Sequence, residues 1–175
     1  MKTRIELLKS LNKDLIIAEL GVFKGEFSQE IYNLCQPKEL YLVDLFDGIV
    51  QSGDVNGNNI EIYHGGKLLR MVEGKFSNTE NVFIKKSDSV EFLKSFPEGY
   101  FDFIYIDSSH QYEHTKKELA ESLRVIKSGG IIAGHDYNRE QFFEVCDAVD
   151  EFCLEHNLQL QTTTDDGLNS FFIKI

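Results

Sequence analysis

The chain has 175 residues, 42% of them hydrophobic, and a formal net charge of -11. That length gives one domain, residues 1-175, with a full core, and the acidity argues against nucleic acid as a partner, because a phosphate backbone needs clustered Lys and Arg. No apolar run approaches the roughly 18 residues of a membrane span, and Met1 to Lys9 carries charges where a secretory leader needs apolar residues, so a cytoplasmic protein without membrane contact is expected.

Thr3 to Glu6 has capping-box spacing, and Ile5, Leu8 and Leu11 predict a short amphipathic helix. The run Leu15–Leu20 predicts a buried strand, followed by Gly21, Gly25 and a helix over Glu26–Cys35 that ends before Pro37. Glu39–Asp44 predicts the second strand. From Leu45 to Asn59 the chain is rich in Gly, Asn and Asp, which predicts a loop able to cover a site. Its Asp54-x-Asn56-x-Asn58 run fails as a calcium loop, with Asn59 where the turn glycine belongs and Gly65 where the closing glutamate belongs. A helix is expected over Gly66–Phe76, a strand over Val82–Lys85, and a helix through Val90, Leu93 and Phe96 capped by Ser87 or Asp88.

The fourth strand, Phe101–Ile106, ends in Asp107. Thr115-x-x-Glu118 reads as a capping box for a helix through Leu119, Leu123 and Ile126, closed by Gly129-Gly130. The fifth strand, Ile131–Gly134, runs into His135-Asp136-Tyr137. A long helix over Glu140–His156 and two strands, Gln159–Thr163 and Ser170–Ile175, joined at Asp165-Asp166-Gly167, complete the chain. Cys35, Cys146 and Cys153, an odd number, read as reduced core thiols. Strand–helix alternation predicts a parallel sheet covered on both faces.

Ligands of such sheets bind outside the carboxyl ends of the strands, near the topological switch point. Glu19, Asp44, Asp107, His135 and Asp136 fall there, and clustered carboxylates need a counter-charge, either a cationic cofactor or a metal ion. A dinucleotide fingerprint would start with a glycine where this chain has Glu19. A carboxylate there repels a pyrophosphate and suits a cofactor that brings positive charge. Asp44, roughly 20 residues beyond the glycine turn, is placed to accept from ribose hydroxyls.

Glu19-Leu20-Gly21-Val22-Phe23-Lys24-Gly25 resembles the first motif of class I methyltransferases, and the terminal hairpin extends the likeness over almost the whole chain. The resemblance implies an α/β, three-layer Rossmann-like methyltransferase fold: a mostly parallel seven-stranded sheet with a C-terminal antiparallel β-hairpin. It implies S-adenosyl-L-methionine as cofactor, with Glu19, Gly21, Phe23, Gly25, Ser28, Asp44, Ser87, Asp88 and Asp107 as its contacts. Asp107-x-x-His110 and His135-Asp136-Tyr137 resemble the metal-dependent O-methyltransferases of small molecules, such as the macrolide-sugar enzymes and their cephalosporin-pathway relatives. By position, Asp107, Asp136 and His135 would hold a divalent metal, magnesium first, and His110 would be the base. The chain departs from that branch at His135, which stands where the branch has an acid, and imidazole suits Zn, Fe or Ni better than Mg.

The expected function is methyl transfer to a hydroxyl of a small molecule or sugar. The open alternatives are a metal-independent methyltransferase, a non-haem iron site, and a non-catalytic cofactor-binding protein. A nicotinamide enzyme is disfavoured by Glu19, and nucleic-acid methylation by charge. Loops Leu45–Gly65 and Ser108–His114 are expected to form the acceptor pocket. A homodimer is left open, with Phe23, Tyr63 and Phe143 read as contact or core residues.

Overall fold

Helix α1 (Arg4–Ser10) is capped by Thr3, whose Oγ1 accepts from the Glu6 N–H at 3.2 Å, and it buries Leu7 and Leu8. In the computed structural model, which describes residues 1–47, 49–52, 61–164 and 167–175, the chain continues through β1 (Ile16–Leu20), α2 (Glu26–Cys35), β2 (Glu39–Asp44), β3 (Ile49–Ser52), β4 (Glu61–His64) and α3 (Gly65–Lys75). Then come β5 (Val82–Lys86), α4 (Ser89–Lys94), β6 (Phe101–Ile106), α5 (Tyr112–Val125), β7 (Ile126–Gly134), α6 (Phe143–Glu155), β8 (Leu160–Thr162) and β9 (Phe171–Lys174).

Among the described residues, seven strands form one sheet in the order β5-β2-β1-β6-β7-β9-β8. The first five run parallel, and β9 is antiparallel to both β7 and β8. The expected fold class is therefore the observed one. Each central strand is buried on both faces: Ala18, Leu20, Val43 and Ile104 belong to one apolar layer, and Ile17, Leu42, Phe103 and Tyr105 to the other. Such runs carry no alternation because neither face meets water. Connections leave β1 toward β2 on one side and β6 on the other, so the switch point lies between β1 and β6.

Three local expectations fail. The Leu45–Asn59 stretch is not all loop: Ile49–Ser52 pairs antiparallel with Glu61–His64, a two-stranded sheet beside the main one. Residues 53–60, including the Asp54–Asn58 run, lie outside the described residues, as do Asp165 and Asp166. Thr115 does not cap α5. The helix starts three residues earlier, its Tyr112 N–H held by Glu144 Oε2 at 2.8 Å, and Thr115 Oγ1 donates to the Gln111 carbonyl at 3.0 Å from inside it. Gly129-Gly130 closes no helix either: α5 gives way directly to β7, and the two glycines sit where β7 slips register against β6. A Cβ on Gly130 would meet Ile126 Cγ1 at 2.7 Å, so a bulge, not a helix end, requires the small residue. Of the three aromatics, Tyr63 is buried, Phe23 half-buried and Phe143 58% exposed. The three cysteines are buried and unpaired, as expected.

Candidate functional site

A cleft of about 780 Å³ opens at the carboxyl ends of β1, β2, β5 and β6. Its lining includes Glu19, Gly21, Phe23, Asp44, Ser87, Asp88, Asp107, His110 and Asp136. Two other expected cofactor contacts are not on its wall. Gly25 is the left-handed N-cap of α2 (φ 71), and Ser28 is fully buried.

The turn after β1 is built around Gly21. Its N–H bonds the Val43 carbonyl at 2.8 Å, and its φ of +90 is one that glycine adopts without strain. Asp44 closes the turn from β2: Oδ2 accepts from the N–H groups of Val22 (2.9 Å) and Phe23 (3.1 Å), and Oδ1 from Phe46 (2.8 Å). A carboxylate has about four acceptor positions, so three are spent on backbone and one remains for a ligand hydroxyl. Phe23, Phe46 and Asp136 all have positive φ (52, 45 and 60) and all line the cleft, the clustering of backbone strain at a site that function explains.

Glu19, the last residue but one of β1, is only 2% exposed and accepts the Ser28 hydroxyl. Ser28 thus serves the cleft through Glu19. Burial raises the Glu19 carboxyl from an ordinary 4.5 to about 8; the Ser28 bond and the Arg4 charge pull it down, and Asp107 and Asp44 push it up. The folded protein therefore holds this proton more tightly than the unfolded chain does. Glu19 subtracts nothing from stability below about pH 4.5, and its penalty grows as pH rises from there through about 8. Thermal melts between pH 5 and 8.5 should show a smaller loss of Tm with pH in Glu19→Gln than in the parent; parallel slopes would disprove the buried-acid account.

Across the switch point, Asp107, His110 and Asp136 offer ligand atoms that all lie within 4.8 Å of one another. His110 Nε2 is 2.7 Å from Asp136 Oδ2, and His135 Nδ1 is 2.9 Å from Asp136 Oδ1. Burial, which raises Asp136, is outweighed by these two hydrogen bonds, so its carboxyl is held well below the usual range. The same bond raises His110 above an ordinary imidazole, against burial. Burial pushes Asp107 up to about 6, His135 pulling it down and Asp136 pushing it up. His135 does not line the cleft and is absent from the close trio, in which His110 takes the place expected for it.

Asp88 caps α4, accepting the Glu91 N–H at 3.0 Å, while facing the cleft. Ser87 is tied to the turn, its N–H on the Asp44 carbonyl at 3.1 Å.

Two features escape sequence reasoning. Arg4, on a helix that precedes the first strand, reaches the cleft, with Nη1 4.0 Å from Asp107 Oδ2. Glu118, fully buried, accepts the Ser89 hydroxyl at 2.5 Å and the Ser108 hydroxyl, and lies 3.5 Å from His114 Nε2. It ties the start of α4 to the loop after β6. No local pattern announces either residue; the Thr115-x-x-Glu118 spacing pointed instead to a capping box.

A family model described as a methyltransferase domain matches residues 18–137. Solved structures agree in fold. A candidate methyltransferase from Streptococcus mutans in complex with SAH superposes with a TM-score of 0.69 at 15% identity, covering 98% of this chain and 96% of that one. A candidate rRNA methylase from Clostridium thermocellum gives 0.69 at 13%, covering 100% and 99%. A candidate caffeoyl-CoA O-methyltransferase from Staphylococcus aureus gives 0.66 at 13%, covering 98% and 83%. No curated protein matches the chain. At such identities the likeness speaks for the fold, and the named substrates of these proteins differ among themselves.

Proposed function

The chain belongs to the family of methyltransferase domains, and from that premise we propose that it moves the methyl group of S-adenosylmethionine to a hydroxyl of a small molecule, with His110 as base. The observation that carries this reading is the 2.7 Å contact of His110 with Asp136 at the edge of the cleft that Gly21 floors. The donor's amino-acid end and sulfonium bring the positive charge that the acids Asp44 and Asp107 call for. The net charge of -11 favours a small acceptor over a nucleic acid.

An ionised Asp136 only accepts hydrogen bonds, so the facing Nε2 of His110 carries a proton and Nδ1 holds the lone pair in the base form. The acceptor oxygen bonds the methyl carbon as the carbon–sulfur bond breaks, and the hydroxyl proton passes to His110 Nδ1. The sulfonium is an activated donor, so alignment of oxygen, methyl and sulfur supplies much of the rate. Phe142, its ring 4.5 Å from that of His110, limits how the imidazole can turn.

The close grouping of Asp107, His110 and Asp136 favours a second reading, in which these three hold a divalent ion. Two carboxylate oxygens and one imidazole nitrogen suit Mn, Fe or Zn better than Mg. Such an ion would orient the acceptor and lower the pKa of its hydroxyl. Methyl transfer measured with and without a chelator separates the two. Turnover is expected to survive chelation; its loss, with recovery on adding back one metal, would replace the His110–Asp136 pair by the ion.

Whichever acceptor is found, Asp47 and Leu45 beside it line the same cleft. No helix among the described residues is long and apolar enough to cross a membrane.

A further inference from the structure

We propose that Arg4 selects the methyl donor by binding its α-carboxylate. This rests on the reading of the cleft as the S-adenosylmethionine site, and it adds a residue outside the 18–137 stretch that defines the family.

The order of strands lays the donor out. Asp88 follows β5, Asp44 ends β2, Gly21 follows β1 and Asp107 follows β6, and these strands are neighbours in that order. A nucleoside held toward Asp88 and Asp44 leaves the amino-acid end between β1 and β6. That end carries an ammonium and a carboxylate. The strand end there supplies Asp107, which suits the ammonium and would repel the carboxylate.

Among the described residues, Arg4 is a cation that reaches that point. Its guanidinium lies 4.4 Å from the centre of the Phe27 ring and 4.0 Å from Asp107 Oδ2, and its charge acts on Glu19, Tyr105 and Asp107 together. Lys24 also lines the cleft, but its Nζ sits 4.4 Å from the Tyr63 ring centre and 5.1 Å from that of Phe23, on the β3–β4 side. A guanidinium carries its N–H donors in a planar fork that matches a carboxylate in two parallel bonds. The arginine is also held in place before any ligand arrives. Thr3 caps its helix, Leu7 and Leu8 one turn on are buried, and the Lys2 carbonyl accepts the Thr164 N–H at 3.0 Å. Pre-ordering of this kind reduces the entropy lost on binding.

The test compares S-adenosylmethionine with its decarboxylated analogue, which keeps the nucleoside, the sulfonium and the amine. Calorimetric titration of the parent should show the analogue binding at least about tenfold more weakly, the scale of one charged hydrogen-bonded contact. Arg4→Ala should lose about that factor for S-adenosylmethionine and stay within about threefold of the parent for the analogue. Arg4→Lys should fall between, since it keeps the charge and loses the fork. The ratio of two affinities on one folded protein is insensitive to a general loss of stability. Equal weakening of both ligands in Arg4→Ala, or a parent that does not discriminate, overturns the proposal and leaves the methyltransferase reading intact. A parent that binds neither ligand overturns both.

Discussion

Replacing His110 by alanine should lower methyl-transfer turnover about 100-fold or more, the smaller end of what a positioned general base supplies, while S-adenosylmethionine affinity changes little. His110 follows β6 at the cleft wall, and its Nε2 is engaged by Asp136, not by the turn around Gly21. Asp136→Asn gives the informative companion. Asp136 raises the His110 pKa, so in the parent the base form fills in only as pH climbs past the ordinary histidine value of 6.5. The rising limb of kcat/KM against pH should therefore lie above that value in the parent and move to lower pH in Asp136→Asn. The sign follows from the contact. An anionic neighbour stabilises the imidazolium, and removing the anion releases the proton more easily. A limb that stays in place, with turnover unchanged in His110→Ala, would take this pair out of the chemistry.

Gly21→Ala should cost about 3 kcal/mol or more of folding stability, the sum of backbone strain and overpacking. A Cβ there would sit 2.0 Å from the Asp107 carbonyl oxygen and 2.7 Å from Ser108 Cα, and the φ is +90. Both obstacles are main chain at the end of β6, so no side-chain rotation relieves them. The strands β1 and β6 would have to part at the switch point, which takes the wall of the cleft with them. For a chain of this size, such a loss corresponds to a fall in Tm of roughly 10 °C. Gly74→Ala on α3 is the control. A Cβ there meets nothing within 4 Å, and a helix gains about 0.5–1 kcal/mol from the exchange. Urea denaturation of the three proteins checks both signs, and a Gly21→Ala protein as stable as the parent would mean the two strand ends do not touch as described.

Much of the fold was legible because its strands are buried on both faces. Runs such as Leu40–Val43 and Phe103–Ile106 are apolar without alternation, and helix α2 shows its face through Phe27, Ile31 and Leu34. Turn chemistry was less reliable. Thr115, Gly129 and Gly130 each match a helix-boundary signal, but Glu144 holds an earlier start of α5 and the pairing with β6 takes both glycines into a strand. The hairpin of β3 and β4 carries too short a pattern to stand out from its polar surroundings.

By itself the sequence determined the parallel sheet, the glycine turn and the row of acids at the strand ends, since these follow from local periodicity, backbone freedom and spacing along one strand. Tertiary structure alone decided that Ser28 supports Glu19, that Asp44 spends three acceptor positions on the turn, and that His110 pairs with Asp136 across 26 residues. It also brought Arg4 over Phe27 and buried Glu118 between two loops. The reason is that a side chain's proton affinity and partners depend on what packing places within a few ångströms of it, and distance along the chain carries no record of that.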